Sequence, residues 1–321
     1  MEYWNNGIMG FKRVESIQFL FLLPIFQVFI IPSFPCFRRG VAQPGSALAW
    51  GVRCRRFKSS RPDHFFFIPA MESQPKILVT NDDGIHCEGI LILAKALREV
   101  GEVYVVAPDR EESAIAHSLT LHRPLRVKKI KKNFYAVDGT PADCVHLGVN
   151  AILPGRPKLI ASGINQGGNL GDDVTYSGTV SAAFEGTLLG IPSFAISLVS
   201  RSHFKFHAAA RFAVRVARSI IKGGLPNDTL LNINVPNLKE EEIKSYKITE
   251  QGRWIHNGNA VVEKVDPRGK KYYWIGSGQM VFNKKKNSDF EAVRNGFISI
   301  TPLHLDLTNY ASIRELKKRR I

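Results

Sequence analysis

From about residue 75 onward the sequence predicts an α/β protein: Rossmann-like, three layers (α/β/α) around a mostly parallel sheet, with a C-terminal β-hairpin extension. Three observations carry this prediction. Short apolar runs of strand length alternate with longer segments of helical period. Polar, glycine-bearing turns separate them. After about Tyr246 the alternation gives way to shorter, hairpin-like strands. Repeated βα units pair in parallel through right-handed crossovers and set helices on both faces of the sheet.

Lys76–Thr80 is an apolar run suited to a buried parallel strand. The turn Asn81-Asp82-Asp83-Gly84 follows, then a helix from about Glu88 with Ile90, Leu93, Leu97 and Val100 on one face, stopped by Gly101. Residues 103–107 form the second strand, leading into Pro108-Asp109-Arg110-Glu111-Glu112-Ser113. A basic, strand-like stretch covers 125–137, and Gly139-Thr140-Pro141-Ala142-Asp143 opens a helix through Val149. Residues 158–162 are another buried strand, ending in a glycine-rich loop over 163–171. A helix beginning near Thr179 carries the chain to a strand at 193–197. The helix at 207–222, closed by Gly223-Gly224, precedes a strand at 230–235, and 297–302 ends the series. There are no internal repeats.

Composition bounds the function classes. Of 321 residues, 44% are hydrophobic and 22% charged, which excludes a wholly disordered or collagen-like chain. The net charge is +16, and residues 1–70 contribute nine Lys/Arg against three acids. Two further basic runs, Lys284-Lys285-Lys286 and Lys317-Lys318-Arg319-Arg320, read as solvated surface, so no specific nucleic-acid partner is expected. Cys36, Cys54, Cys87 and Cys144 form no CxxC pair, which spells neither a zinc knuckle nor a disulfide framework and fits a reduced cytoplasm.

The first seventy residues differ from the rest. Residues 17–37 are almost wholly apolar behind Lys12-Arg13, which a membrane anchor or secretory segment would require, but internal prolines and the lack of a small-residue cleavage site weaken both. Residues 40–64 have no helical or strand period and resemble a transfer-RNA gene read as codons. On that reading residues 1–70 are an over-extended reading frame outside the fold, no membrane is engaged, and the domain is 71–321. The anchor is the alternative.

Ligands in open parallel sheets bind beyond the carboxyl ends of the strands. Three polar loops share that edge: 81–84, 109–113 and 163–169. Adjacent Asp82 and Asp83 would repel one another unless a hard divalent cation such as Mg²⁺ or Mn²⁺ lay between them; the competing reading is one helix cap and one solvated carboxylate. The loop Gly163 to Gly171 lacks the G-x-G-x-x-G order, and no Walker A sequence occurs. Its Asn165 and Asn169 offer amide donors and acceptors. Tyr176-Ser177-Gly178-Thr179 stands at a helix start, where free N–H groups make either an anion pocket or an ordinary cap. Among His86, His117, His122, His146 and His304, His117 is the best acid–base candidate because it shares a loop with Ser113.

Taken together, residues 77–84, Ala107-Pro108-Asp109-Arg110 with Ser113, 138–145, Ser162-Gly163-Ile164-Asn165 through Gly171-Asp172-Asp173, and Tyr176-Ser177-Gly178-Thr179-Val180 with Glu185-Gly186 resemble the SurE survival-protein family of metal-dependent nucleotidases. Asn232-Ile233-Asn234-Val235-Pro236, Asp266-Pro267-Arg268-Gly269, Tyr273-Trp274-Ile275-Gly276 and Ile300-Thr301-Pro302-Leu303 extend the likeness, which spans about 75–308. The resemblance implies one Mg²⁺ or Mn²⁺ per subunit on Asp82, Asp83, the Ser113 hydroxyl and Asn165. It implies hydrolysis of nucleoside 5′-monophosphates to nucleoside and phosphate, with 3′-monophosphates and short polyphosphate as substrates of some members. Asp82 is then the carboxylate nearest in-line attack, as base or nucleophile, and Asn165, Asn169, Ser177, Gly178 and Thr179 hold the phosphate. A homodimer or homotetramer built with the C-terminal hairpins is implied too. Ala114-Ile115-Ala116-His117 departs from the family's usual run after the serine. Two rival readings are a non-catalytic nucleotide- or RNA-binding module and a metal-dependent esterase or deacylase. The missing glycine fingerprint disfavours a dehydrogenase.

Overall fold

The computed structural model describes residues 74–256, 261–275, 280–282 and 285–319. The anticipated N-terminal extension of residues 1–70, Lys284 of the first basic run and Arg320 of the second lie outside the described residues. In chain order the elements are β1 Lys76–Thr80, α1 Glu88–Leu97, β2 Glu102–Pro108, β3 Val127–Lys131, β4 Phe134–Val137, α2 Pro141–Leu147, β5 Leu159–Gln166, α3 Gly178–Leu188, β6 Ser193–Val199 and α4 Phe206–Gly223. There follow β7 Thr229–Pro236, β8 Ser245–Ile248, β9 Trp254–His256, β10 Val261–Val265, β11 Lys271–Ile275, β12 Met280–Phe282, α5 Asp289–Arg294, β13 Phe297–His304 and α6 Tyr310–Arg319.

Nine strands build one sheet in the order β3-β4-β2-β1-β5-β6-β7-β13-β8. From β4 to β7 every pairing is parallel, so β1, β2, β5, β6 and β7 present their carboxyl ends along one edge. Antiparallel β3 and β13 close the parallel block on its two sides. The predicted α/β class and mostly parallel sheet are what the chain forms, with β10 and β11 as a separate antiparallel hairpin.

Alternation along the strands sorts the core into two layers. Ile77 and Val79 of β1, with Val103 and Val105 of β2, face α1 and α4. Leu78, Tyr104 and Val106 face the other way, onto Cys144 and Val145 of α2 and Ala182 of α3. A period-2 strand buried on both faces must read as a continuous apolar run, which is why β1 and β2 do. Helix α1 approaches so closely that a Cβ on Gly89 would lie 2.1 Å from the Ile164 carbonyl oxygen.

Three elements differ from the sequence expectation. The strand expected to end at Ser162 continues to Gln166, because β6 goes on supplying ladder partners (Ile196, Ser197 and Leu198) after the β1 pairing has ended at Ser162. Gly163 suits this crowded position, since a Cβ there would meet the Ile196 carbonyl at 2.2 Å. The single basic stretch over 125–137 is a hairpin, β3 and β4, turning at Asn133 with φ 61°. The basic C-terminal run is the end of a helix, α6, with no buried residue.

Candidate functional site

At the carboxyl edge of the sheet lies a cavity of about 510 Å³. Its wall includes Asp82, Asp83, Ser113, Asn165, Asn169 and Ser177, so the three loops singled out from the sequence converge. The β1 and β2 loops are stitched together by backbone bonds: Ile85 N–H to the Pro108 carbonyl at 2.9 Å, and Glu112 N–H to the Asp82 carbonyl at 2.8 Å. Gly84, at φ 95°, lets the first loop turn beneath Arg110, whose backbone would lie 3.1 Å from any Cβ.

Asp82 is buried and held by the start of α3. The Thr179 N–H donates to its Oδ2 at 3.0 Å and the Thr179 hydroxyl to its Oδ1. Gly178 makes this approach possible, because a Cβ there would sit 2.9 Å from the Cβ of Asp82. Burial raises the Asp82 pKa, against the lowering effect of the Thr179 bonds. Asp83 is half-buried, and its Oδ2 accepts the Gln166 N–H at 3.2 Å. Burial first, and the neighbouring Asp82 charge second, push Asp83 up to about 6.

The other two expected metal ligands are neutral oxygens. The Ser113 hydroxyl donates to Glu111 Oε1 at 2.8 Å, leaving its lone pairs free to face the cavity. Asn165 donates its Nδ2 to the Gly167 carbonyl at 3.0 Å, which fixes the amide and leaves Oδ1 as an acceptor. Among the described residues no three His, Cys, Asp or Glu side chains gather as a metal-binding group. A cation here would therefore rest on two carboxylates completed by a hydroxyl and an amide, an all-oxygen set suited to Mg²⁺ or Mn²⁺. The chemistry of the donors fits such an ion.

The expected phosphate-binding residues divide. Asn165 and Asn169 line the cavity, but Asn169 is also the hub of a buried amide network. Its Nδ2 donates to the Ser197 hydroxyl at 2.8 Å, and its carbonyl accepts from Asn232 at 2.8 Å and Asn234 at 2.9 Å. Ser177 is the N-cap of α3, its hydroxyl accepting the Val180 N–H at 3.1 Å. Thr179 is fully buried with both donors committed to Asp82, and Gly178 packs on the same side chain; the structure brings neither to the cavity wall.

His117 also lies elsewhere. Its Nε2 pairs with Glu185 of α3 at 3.0 Å, and it lines a second cavity of about 400 Å³ with His304 and Leu307. Glu185 meets His146 Nδ1 as well, at 3.1 Å. His86 and His122 are exposed. The wall residues that sequence reasoning missed are chiefly Arg201 and Phe204, while Glu111 and Tyr176 lie in segments it singled out without giving them a role of their own. Arg201 follows the carboxyl end of β6, so the edge rule that found the other loops could have reached it.

The family model described as Survival protein SurE matches residues 77–258. The 5′-nucleotidase SurE of Pelobacter propionicus is 59% identical over 239 residues, covering 74% of this chain and 96% of that protein. The 5′-nucleotidase SurE of Geobacter sulfurreducens is 57% identical over 242 residues, covering 75% of this chain and 92% of the relative. The crystal structure of the SurE protein from Aquifex aeolicus is similar with a TM-score of 0.69 at 46% identity, over 77% of this chain and 100% of that one.

Proposed function

The chain belongs to the SurE survival-protein family, and from that premise we propose that it hydrolyses nucleoside 5′-monophosphates to nucleoside and inorganic phosphate in the cavity around Asp82. One observation supports this most directly: two adjacent carboxylates share a partly desolvated wall with a hydroxyl and a free amide oxygen, and burial together with the neighbouring Asp82 charge pushes Asp83 up to about 6. Asp82, Asp83, Ser113 and Asn165 would hold one divalent cation, Mg²⁺ or Mn²⁺. Bound there, it supplies positive charge against the phosphoryl oxygens and relieves the repulsion between the carboxylates.

The chain's own residues set the geometry. Asp82 is fixed by two bonds to one threonine, so its remaining lone pairs point in a defined direction. That makes it the group placed for attack, as general base for water or as nucleophile. Asn165 presents a side chain already oriented by Gly167, which suits fixed stabilisation of developing charge. The same cavity would admit 3′-monophosphates and short polyphosphate.

Assembly as a homodimer or homotetramer is part of the proposal. Trp274 and Ile275 on the β11 hairpin strand are 62% and 85% exposed, which a second copy would cover. Among the described residues no helix is long and apolar enough to cross a membrane, and Cys87 and Cys144 are free thiols, both consistent with the cytoplasm.

The test is phosphate release by the full chain from a panel of nucleoside monophosphates, with Mg²⁺ or Mn²⁺ and with EDTA. Cation-dependent release is expected. A folded, cation-supplied protein that releases none would refute the reading.

A further inference from the structure

The cavity wall carries four carboxylates, Asp82, Asp83, Glu111 and Asp173, and one cation, Arg201. A phosphate monoester bears close to two negative charges at neutral pH, so the wall's own carboxylates repel the proposed substrate except where the proposed divalent cation would offset Asp82 and Asp83. Among the described residues no carboxylate lies within ion-pair distance of Arg201. Arg201 is exposed and is the one cationic side chain that the wall itself offers an anion, apart from the proposed metal ion.

Arg201 sits in the connection between β6 and α4, residues 200–205, and this turn is built rather than loose. Asn237, just past β7, donates its Nδ2 to the Ser200 hydroxyl and to the His203 carbonyl, both at 3.0 Å. Its Oδ1 accepts the Lys205 N–H at 2.9 Å, so every polar atom of that amide is spent on the turn. The Ser200 hydroxyl closes the turn onto the Ser202 carbonyl at 2.5 Å. Phe204 is backed by the buried Phe206, their rings stacked at 5.7 Å and 17°. Phe204 is half-buried against the core, and it also lines the cavity.

We propose that this turn is the substrate-recognition arm of the cavity: Arg201 pairs with the phosphate of a nucleoside monophosphate, and Phe204 stacks against its base. The proposal rests on the nucleotidase reading above. A guanidinium fork matches phosphate oxygens two at a time. Aromatic stacking tolerates any base, because every base has a π-face. The arm therefore favours nucleotides over base-free phosphomonoesters without choosing strongly among bases. The edge of the sheet then has a division of labour, with β1, β2 and β5 carrying the reacting centre and β6 carrying recognition.

The experiment compares the full-length wild type with Arg201→Gln and Phe204→Leu, using adenosine 5′-monophosphate and the base-free glycerol 2-phosphate as substrates. Inorganic phosphate and adenosine serve as inhibitors. Arg201→Gln is expected to raise KM for both substrates, and Ki for phosphate, by roughly tenfold or more, with adenosine inhibition unchanged. Phe204→Leu is expected to raise KM for the nucleotide and Ki for adenosine while leaving glycerol 2-phosphate alone. Should the leucine disturb Phe206 and unfold the protein, Phe204→Trp keeps an aromatic face and must preserve nucleotide KM. Variants that melt with the wild type yet show unchanged constants, or a loss confined to kcat, overturn the arm while the nucleotidase reading stands. A wild type that releases no phosphate from any nucleoside monophosphate fails that reading itself, and the arm with it.

Discussion

Helix α3 secures two buried carboxylates, and their surroundings drive them in opposite directions. At its first turn Thr179 gives both donors to Asp82; two turns later Glu185 lies between His117 and His146. Asp82 has only neutral partners, desolvation wins, and its pKa rises. Glu185 has two imidazole partners, their hydrogen bonds outweigh desolvation, and its pKa falls. The Glu185 cluster is satisfied within the chain. The Asp82 cluster keeps an unrelieved charge, and a buried group left in that state marks a place where a ligand is meant to complete the structure.

Asp82→Asn tests the contrast most sharply. Removing the attacking carboxylate should lower kcat by about a thousandfold. Because the lost charge was desolvated and lacked a cationic partner, the thermal midpoint of the cation-free protein should hold or rise. Activity assays and melting on one preparation check both. Near-wild-type turnover, or a large fall in midpoint, would make Asp82 a structural residue of the Glu185 kind.

The second-largest effect belongs to Thr179. Thr179→Val keeps the shape but removes the hydroxyl bond to Asp82, and misplacing a reacting group by an ångström costs on the order of a hundredfold. We expect kcat to fall ten- to a hundredfold with KM for the nucleotide nearly unchanged. Thr179→Ser keeps both bonds and should restore it. Equal activity in the valine and serine variants would remove Thr179 from the positioning of Asp82.

These residues also show what the sequence made legible. The sheet was readable because strands buried on both faces need a continuous apolar run, and β1, β2 and β6 carry one at residues 77–79, 103–107 and 194–196. The end of β5 was not, because Gly163 and Asn165 are poor strand formers held in the ladder by β6 alone. Asp82, Asp83, Ser113 and Asn165 were found because they end parallel strands on one edge, and the family resemblance gave them roles. Thr179 was assigned to phosphate because a helix start offers free N–H groups. That its donors go to Asp82 depends on the missing Cβ of Gly178 and on packing between segments 97 positions apart, which no local pattern encodes. His117 misled for the converse reason: it shares the loop of Ser113, yet Ala114 and Ala116 at φ 57° and 54° turn the chain between them.

Cation binding gives the third prediction, with the sign fixed by the raised carboxylates. A carboxylate whose folded pKa is raised binds protons more tightly when folded, so its ionisation costs stability as pH rises. For Asp83 the cost begins near its ordinary value of 3.8 and is complete above about 6. The cation-free protein should therefore lose stability across that window. Mg²⁺ or Mn²⁺ at pH 7 should restore it, by about 3 kcal/mol at a hundred times Kd. Calorimetric melting with and without EDTA measures this, and the cation effect should shrink in Asp83→Asn. An equal gain in wild type and variant would place the cation elsewhere.

The smallest effect tests the satisfied member of the pair. Glu185→Gln keeps the side chain's shape but replaces two charge-assisted bonds by neutral ones, at a cost of about 1–2 kcal/mol. The sign here is the reverse of Asp83. A carboxylate with a lowered folded pKa stabilises the chain above its ordinary value, 4.5 for Glu185, and that contribution disappears as pH falls through the folded value. The difference in stability between wild type and Glu185→Gln should be full at pH 7 and shrink toward zero in acid. Because no member of the cluster lines the cavity at Asp82, and His117 opens onto the second cavity instead, kcat should stay within about twofold of wild type. A large loss of activity without a loss of stability would mean that His117 acts through the Ser113 loop on the reacting centre, and the two ends of α3 would then be one machine rather than two.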